Sequence, residues 1–495
     1  MADLSIPRYP SLFQINTRVR LTELSVALAH PATLDDFPDA ELDELASDGF
    51  NMVWFLGVWQ TGEAGRRVSA SDPQFQIEYQ RVLPDFQESD ICGSCFAIHE
   101  YHVHTDFGGD AALARLRDRL RQRGLRLMLD FVPNHLAPDH PWVEQHPEFF
   151  VTGSEEQLNS QPKNYSRIEL AGEARVFAYG RDPYFDGWSD TLQLNYGNPA
   201  MQDALLGELQ RIATQCDGVR CDMAMLVLPE IFARTWGIST APFWPRATAK
   251  VHADFPGFIF LAEVYWDLEW TLQQQGFDYT YDKRMYDRLR EGAARPVREH
   301  LLAGLDFQDH LARFLENHDE PRVAETFAPD IHRAAALITF FTPGMRFFHQ
   351  GQRQGKKIHI PVHLRRGPVE TIDSSIAVFY EDLLGCLKEA AFRDGQWQLL
   401  DAQPAWEGNG SNEGFIAFSW TAPGDHYRLV VVNYASHQSQ SYIKLPWGDL
   451  SGYTWRFSDR LSQAVYDRHG DDLSTQGLYL DMPAWGYHIF DVLSL

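Results

Sequence analysis

A chain of 495 residues, 44% hydrophobic and 22% charged, is long enough for one large barrel domain with a smaller companion, and this composition excludes a disordered or fibrous protein. Its formal charge of -25, from 68 acidic against 43 basic side chains, gives a surface that repels phosphate backbones and anionic lipids. Neither nucleic acid nor a membrane is therefore expected as a partner, whereas a neutral substrate is compatible with this charge.

The five cysteines are few and odd in number, and they do not form a disulfide framework, which favours a reducing compartment. Cys92 and Cys95 form an isolated CxxC motif without a second pair, so a zinc or redox site is not favoured. The N-terminal segment contains Asp3, Pro7 and Pro10 and no apolar core before a cleavage site, so no secretory signal is expected. No apolar run approaches the length of a membrane span. We expect a cytoplasmic protein.

Strand-like and helix-like segments alternate from the start of the chain, which is typical of a parallel α/β barrel. The first three strands are predicted over residues 11–19, 51–59 and 125–132. Helices are predicted over 40–49 and over 110–124, the second capped by Asp110. The stretch 137–193 breaks the alternation and is too long for an ordinary loop, so it predicts an insertion after strand three.

The alternation then resumes as far as an eighth predicted strand. Helices are predicted over 199–216 and 241–255, and strands four to eight over 218–222, 257–264, 277–282, 312–319 and 345–352. Beyond about residue 397 the period is that of β-strands, as in 414–422, 426–435, 440–447 and 486–493. The predicted fold class is therefore a (β/α)8 TIM barrel over 1–136 and 194–394, with an inserted loop domain over 137–193 and a C-terminal all-β sandwich domain over 395–495.

Four short segments end in residues typical of a sugar-cleaving site: DFVPNH (130–135), GVRCD (218–222), FLAEV (260–264) and FLENHD (314–319). Each follows an apolar run that predicts a buried strand. Asp222, Glu263 and Asp319 are therefore expected at the carboxyl ends of strands, where barrel enzymes place catalytic groups. One such carboxylate alone is most often a helix cap or a surface charge, so it is the ordered set that favours catalysis.

These four motifs, in this order, resemble the conserved regions of the α-amylase superfamily, glycoside hydrolase family 13. The segment TLQLNYGNP (191–199) is similar to a further segment of that family. The resemblance implies that Asp222 is the nucleophile, that Glu263 is the general acid/base, and that Asp319 binds hydroxyls of the distorted sugar. It also implies that three further residues line the same subsite: His135, Arg220 and His318.

The residue types suit this chemistry. Arg220 stands two positions before Asp222 on one strand, so its fixed charge is expected to keep that carboxylate ionised. Ala262 and Val264 flank Glu263, and apolar surroundings are expected to raise its pKa and retain its proton near neutral pH. A retaining glycosidase needs this combination, with the two carboxyl groups about 5 to 5.5 Å apart.

The segment GSCFAIHEY (93–101) is similar to a family loop in which an aromatic residue stacks on the sugar that is cleaved. Phe96 matches that position and keeps the ring face but not the hydroxyl of the more usual tyrosine. Gly93 stands where members that trim oligosaccharides often hold an aspartate, which weakens the case for removal of one glucose at a time.

Many α-amylases carry lysine and histidine where this chain has Met225 and Leu226. The family's structural calcium is therefore not expected to carry over, and no cofactor is expected. The leaving-group side of the site is expected to be more apolar, with Tyr265 and Trp266 as stacking partners.

Together these features predict a retaining α-glucoside hydrolase acting on α-1,4-linked glucans or maltooligosaccharides through a covalent glucosyl-enzyme. Transglycosylation or phosphorolysis, in which a sugar or phosphate replaces water, shares the intermediate and stays open as the alternative. A non-catalytic glucan-binding protein is disfavoured, because such relatives typically lose catalytic carboxylates and this chain keeps all three.

Overall fold

The computed structural model describes residues 6–170, 172–422 and 426–495, and its largest unit is a closed barrel of eight parallel strands. The barrel strands are β1 (Ser11–Asn16), β2 (Met52–Leu56), β3 (Arg126–Phe131), β4 (Gly218–Cys221), β5 (Ile259–Ala262), β6 (Tyr279–Tyr281), β7 (Leu311–Arg313) and β8 (Met345–His349). Each strand pairs with the next, and β8 pairs with β1, so the barrel has no free edge. The predicted fold class is confirmed.

The barrel strands are shorter than predicted, and the first and seventh show what replaces the missing residues. β1 ends at Asn16, whose side chain accepts a hydrogen bond from the N–H of Val19 and so caps the following helix. Residues 17–19, predicted as strand, are therefore helical. β7 ends at Arg313, and the rest of the predicted strand 312–319 is a loop.

The helices that accompany the barrel strands pack through apolar faces. In the helix Gly109–Gln122, for example, Leu113, Leu116 and Leu120 are buried on one face. Asp110 does not cap this helix as predicted, because it lies within the first turn and accepts from the N–H of Val103. The α-helices between β1 and residue 395, outside the insertion, are Thr17–Leu28, Asp39–Ser47, Glu63–Ser71, Pro73–Val82, Gly109–Gln122, Pro199–Gln215, Pro229–Trp236, Trp244–Asp254, Glu269–Gln273, Lys283–Arg290, Ala294–His300, Leu305–Gln308, Val323–Thr326, Pro329–Phe340, Ser374–Leu387 and Ala390–Asp394. None of the helices in the described ranges is long and apolar enough to cross a membrane.

Two excursions from the barrel lie at its carboxyl end, where they can shape a site. After β2, the strand Trp59–Thr61 pairs with Ile98–Val103, and the loop before the second strand carries Phe96. After β3, His135–Leu136 pairs with Leu192–Gln193 at the base of the insertion. The insertion itself contains the helices Pro141–Gln145 and Glu155–Ser160 and the hairpin Tyr165–Leu170 with Glu173–Ala178.

The C-terminal region consists of two antiparallel sheets that share a core. Its strands are β9 (Gln396–Leu400), β10 (Ala402–Pro404), β11 (Phe415–Ala422), β12 (His426–Asn433), β13 (Ser439–Ile443), β14 (Thr454–Asp459), β15 (Val465–His469), β16 (Leu478–Met482) and β17 (Tyr487–Ser494), with one helix, Gly470–Thr475, between β15 and β16. The sheet orders are β9-β11-β12-β17-β14-β15 and β10-β13-β16. Residues 1–5 of the predicted barrel domain, 171 of the predicted insertion and 423–425 of the predicted C-terminal domain lie outside the described residues.

One face of the six-stranded sheet packs against the three-stranded sheet, and its opposite face packs into the core of the barrel domain. Trp420 on β11 is buried there, donates from Nε1 to the carbonyl oxygen of Phe341 at 2.8 Å, and meets the rings of Tyr9 and Phe392 at centroid distances of 5.1 and 6.1 Å. Beside it, the buried guanidinium of Arg346 donates to the carbonyl oxygens of residues 9, 340 and 392. Apolar packing and the hydrogen bond of Trp420 thus join the two regions, while Arg346 ties together the barrel segments on its own side of the junction.

We expect Trp420→Ala to lower the free energy of unfolding by about 3–5 kcal/mol, because it leaves a large cavity at this junction. Trp420→Phe keeps most of the ring volume and loses the hydrogen bond to Phe341, so a smaller loss of about 1 kcal/mol is expected. Urea denaturation followed by circular dichroism measures both variants. Equal effects of the two substitutions would contradict the packing argument.

Candidate active site

A cavity of about 920 Å³ opens at the carboxyl end of the barrel. Five of the predicted site residues line it: Phe96, His135, Asp222, Glu263 and Asp319. They come from loops and strand ends far apart in the sequence, and closure of the barrel brings them together.

Arg220 on β4 connects the carboxylates. Its Nη1 donates to Oδ1 of Asp222 at 2.6 Å, and its Nη2 donates to Oε2 of Glu263 at 2.7 Å. The same Nη2 lies 3.9 Å from Oδ2 of Asp319. Because Nη1 and Nη2 belong to one rigid plane, they hold the carboxyl groups of Asp222 and Glu263 side by side.

Aromatic rings surround this guanidinium, which is fully buried. Its central carbon lies 5.1, 5.4 and 5.8 Å from the ring centroids of Phe96, Trp54 and Tyr281. Burial by itself lowers the pKa of Arg220, but the charges of Glu263 and Asp222 and the Tyr281 side chain outweigh it and raise that pKa well above its usual value. A permanent positive charge therefore stands behind the carboxylates.

Glu263 follows β5 directly and is buried. Its Oε2 also accepts from the backbone N–H of Met223 at 2.7 Å, and its Oε1 lies 2.7 Å from the hydroxyl of Tyr265. Burial raises the pKa of Glu263, with Arg220 opposing the shift and the charge of Asp222 adding to it. The direction is the one that its apolar neighbours in the sequence predict.

Asp319 lies on the loop beyond β7 rather than at the end of the strand, and 42% of its side chain is exposed to the cleft. Desolvation of its carboxyl group and the nearby charge of Glu263 raise the pKa of Asp319 to about 8, against the opposing charge of Arg220. The direction of this shift favours the protonated form, which has an O–H to donate.

Both predicted histidines are buried and neutral at physiological pH. Burial lowers the pKa of His318 well below its usual value and that of His135 to about 4. The amide Nε2 of Gln14 lies 2.8 Å from Nδ1 of His318 and donates to it, so the ring proton sits on Nε2, 3.1 Å from Oδ2 of Asp319. The ring of His135 lies beside Trp188 of the insertion, at a centroid distance of 5.3 Å.

Phe96 lies against this centre, with its ring centroid 5.4 Å from that of His318. The buried Arg18 holds the segment that precedes Phe96 in place. Its guanidinium donates to the carbonyl oxygen of Gly93 at 2.7 Å and contacts Sγ of Cys92. Cys92 and Cys95 are free thiols. The CxxC segment thus helps to position the loop that carries Phe96.

Tyr265 and Trp266 line a second cavity of about 700 Å³, which shares Met223 with the first. Trp266 is 36% exposed, adopts a left-handed backbone with φ 64°, and meets the ring of Tyr184 edge to face at 5.0 Å. Asp267 is also left-handed, with φ 61°, so strained backbone presents this tryptophan to the cavity.

Met225 and Leu226, which replace the lysine and histidine of many α-amylases, do not face the leaving-group side of the site. Both residues are buried in the hydrophobic core, with exposures of 0% and 3%, and neither lines the two cavities. The short helix Ala224–Val227 turns them inward, and Met223, Tyr265 and Trp266 face the space instead.

Some residues of the site were not predicted. Asp130 is buried at the end of β3 and accepts from Nε1 of Trp54 at 3.1 Å and from the N–H of Gly57 at 2.7 Å, so it joins β3 to β2 beneath the cleft. Gln14 on β1 holds His318. Gln14 lies inside β1 rather than at its end, so the rule for strand ends does not identify it.

In the described ranges, no group of three or more His, Cys, Asp or Glu side chains is arranged to hold a metal ion.

Residues 94–282 match the family model described as the α-amylase catalytic domain. The chain is 24% identical over 358 residues to an α-amylase of Haloarcula japonica, an alignment that covers 70% of this chain and 48% of that protein. It is 24% identical over 385 residues to an α-1,4-glucan:maltose-1-phosphate maltosyltransferase of Pseudomonas aeruginosa, covering 73% and 45%. The chain thus spans about half the length of the curated relatives it matches.

A solved structure, that of a maltogenic α-amylase from Thermotoga neapolitana, superimposes with a TM-score of 0.69 and covers 99% of both chains at 18% identity. At this identity the likeness supports the fold. The barrel, the excursions at its carboxyl end and the C-terminal sheets therefore form one known architecture.

We expect Arg220→Met to lower the free energy of unfolding by about 3–5 kcal/mol, because it leaves buried carboxylates without their cation. The loss should grow as pH rises from 5 to 9. Without Arg220 the pKa values of Glu263 and Asp319 rise further in the folded state only, so the folded variant binds more protons than the wild type and its relative stability falls with pH.

Denaturation curves at several pH values measure this difference. Arg456→Met is the matched control, because Arg456 pairs with Asp467 at the surface of the C-terminal sheet, and little change is expected at any pH. A destabilisation of Arg220→Met that does not change with pH would contradict the proposed role of the guanidinium.

Proposed function

This chain belongs to the α-amylase superfamily, and we propose that it is a retaining glycosidase that cleaves α-1,4 bonds of glucans or maltooligosaccharides. The observation that carries the proposal is the bridge from Arg220 to both Asp222 and Glu263. It ties both carboxyl groups to one guanidinium plane, an arrangement in keeping with the paired carboxyl groups of a covalent double displacement.

In the first step, the Asp222 carboxylate attacks the anomeric carbon of the sugar. As the new C–O bond forms, the glycosidic C–O bond breaks and its oxygen takes the proton of Glu263. The products are a glucosyl ester of Asp222, a Glu263 carboxylate and the released sugar. The raised pKa of Glu263 favours the protonated state that this step requires.

In the second step, the Glu263 carboxylate takes a proton from a water whose oxygen attacks the same carbon. The ester bond to Asp222 breaks, both carboxyl groups return to their starting states, and the configuration is retained. Asp319, with its pKa of about 8, and the Nε2–H of His318 supply donors for hydroxyls of the distorted ring. Phe96 offers a ring face to the same sugar.

The side chains complete this cycle without a cofactor, and we propose that none is used. The net charge of -25 suits a neutral glucan better than a nucleic acid or a membrane surface. The five free thiols support a cytoplasmic location.

We expect Asp222→Ala and Glu263→Ala to abolish cleavage of maltooligosaccharides almost completely, with Glu263→Ala costing about 10²–10⁴-fold in kcat/KM. Added azide distinguishes the two roles. With Glu263→Ala and an activated α-glucoside, azide should resolve the Asp222 ester and give the α-glucosyl azide. With Asp222→Ala, azide should attack the substrate directly from the opposite face and give the β-anomer.

NMR of the isolated azides identifies the anomers, and circular dichroism controls for folding. A β-azide from the Glu263 variant would contradict the assignment of the nucleophile.

A glycosyl transfer reaction is the second candidate. The 700 Å³ cavity that adjoins Met223 and presents Trp266 offers space for an acceptor beside the glucosyl-enzyme. We expect added maltose to divert part of the product into longer oligosaccharides if this cavity binds acceptors. Chromatography with and without maltose or inorganic phosphate measures how much product comes from hydrolysis and how much from transfer. If neither addition changes the product distribution, hydrolysis is the only reaction supported.

A further inference from the structure

The hydroxyl of Tyr265 has a contact that substrate stacking does not explain. It lies 2.7 Å from Oε1 of Glu263, and in the described part of the chain it is the hydrogen-bond partner of that oxygen. Tyr265 is mostly buried and packs against the core, so the hydroxyl is held in place. The contact lies where the two cavities meet, since Glu263 lines the larger one, Tyr265 the smaller one and Met223 both.

The other carboxyl oxygen of Glu263 is already saturated. Oε2 accepts from Nη2 of Arg220 and from the N–H of Met223, each at 2.7 Å. Two N–H donors occupy its two lone pairs, so an acidic proton cannot reside there. The proton of the acid form therefore sits on Oε1, directly opposite the hydroxyl of Tyr265.

The hydroxyl of Tyr265 can serve both charge states of Glu263. A phenol accepts a hydrogen bond from a carboxylic acid and donates one to a carboxylate. Burial, and then the charge of Glu263, raise the pKa of Tyr265 well above its usual value, so the phenol keeps its own proton throughout.

We propose that Tyr265 is a positioning residue for acid/base catalysis, whose hydroxyl receives the Oε1–H of Glu263 before cleavage and donates to Oε1 once the proton has moved to the leaving oxygen. The proposal rests on the function proposed above. No net proton leaves Tyr265, because its O–H only turns towards the charge that develops on Glu263. In the second step Oε1 takes a proton from water and the hydroxyl returns to accepting.

Other charged and titratable groups also face Glu263, and the atoms that they contact distinguish their effects from that of Tyr265. Arg220 and Asp222 approach from β4, the hydroxyl of Tyr281 from β6 and Asp319 from the loop beyond β7. Among these, Arg220 contacts Oε2, and Tyr281 contacts Nε of Arg220 at 3.3 Å. Tyr265 thus acts on the oxygen that carries the proton.

The test is the pH profile of kcat/KM for Tyr265→Phe on a maltooligosaccharide. The basic limb reports loss of the acidic proton of Glu263. Phenylalanine keeps the ring but cannot donate a hydrogen bond to the Glu263 carboxylate, so the carboxylate is less stable. The basic limb of the pH profile should therefore move to higher pH by about one unit. The plateau should fall by about tenfold, because the weaker acid protonates the leaving oxygen less effectively.

Two substrates separate this effect from a structural one. Cleavage of α-glucosyl fluoride, whose leaving group needs little protonation, should stay near the wild-type rate in Tyr265→Phe. Loss of activity on both substrates with an unmoved basic limb would contradict the proposal. Tyr184→Phe is the matched control, because it removes a phenolic hydroxyl from the neighbouring ring that meets Trp266 rather than Glu263, and its basic limb should stay at the wild-type position.

Incorporation of 3-fluorotyrosine at position 265 keeps the ring and the hydroxyl and makes the phenol a stronger donor. It should move the basic limb downward, opposite to Tyr265→Phe, and it remains informative if the phenylalanine variant does not fold. Failure of the wild-type chain to cleave any α-glucoside with retention would contradict the proposed function itself. An active wild type with unshifted limbs in both variants would contradict only the role of Tyr265.

Discussion

The site depends on one buried cation that holds mutually repelling groups together. Three carboxyl groups face one cleft, and burial and like charge both act against ionising all of them. The positive charge of Arg220 offsets this cost. Its two terminal nitrogens pair with Asp222 and Glu263, and Asp319 lies near the guanidinium without a close contact. The carboxyl groups are therefore unequal, because Asp222 and Glu263 contact the guanidinium directly and Asp319 does not.

This inequality divides the chemical tasks. The ion pair with Arg220 matches an attacking carboxylate at Asp222. Asp319 lies farthest from the cation, and its raised pKa favours the protonated form, which can donate to sugar hydroxyls. Glu263 stands between these cases, with one oxygen engaged by N–H donors and the other left for proton exchange. The aromatic rings around Arg220 keep water away and preserve these differences.

The sequence predicts the parts of this arrangement that depend on strand ends. Asp222 and Glu263 follow β4 and β5 directly, so the period of the apolar runs was enough to place them. Asp319 lies on a loop whose path depends on tertiary packing, and its motif was a better guide than its periodicity. Met225 and Leu226 show what a family match does not predict. Their positions match the family, but the short helix that carries them turns both side chains into the core.

The contact between Tyr265 and Glu263 could not be predicted from residue types. An aromatic residue two positions beyond a catalytic glutamate suggests a stacking surface as readily as a hydrogen-bond donor. The choice depends on the backbone after β5, where strained residues turn Trp266 outward while the hydroxyl of Tyr265 meets Oε1. Such directions follow from the packed loop and not from spacing along the chain.

The shared core between barrel and C-terminal sheets has a consequence for the evolution of this chain. One face of the six-stranded sheet is completed by residues of the barrel domain, and the carbonyl oxygens of residues 9, 340 and 392 meet at the guanidinium of Arg346. A chain truncated after the last barrel helix would expose that apolar face to water. The C-terminal sheets are therefore not an exchangeable module, and loss of that region by recombination would remove a wall of the catalytic domain's own interior.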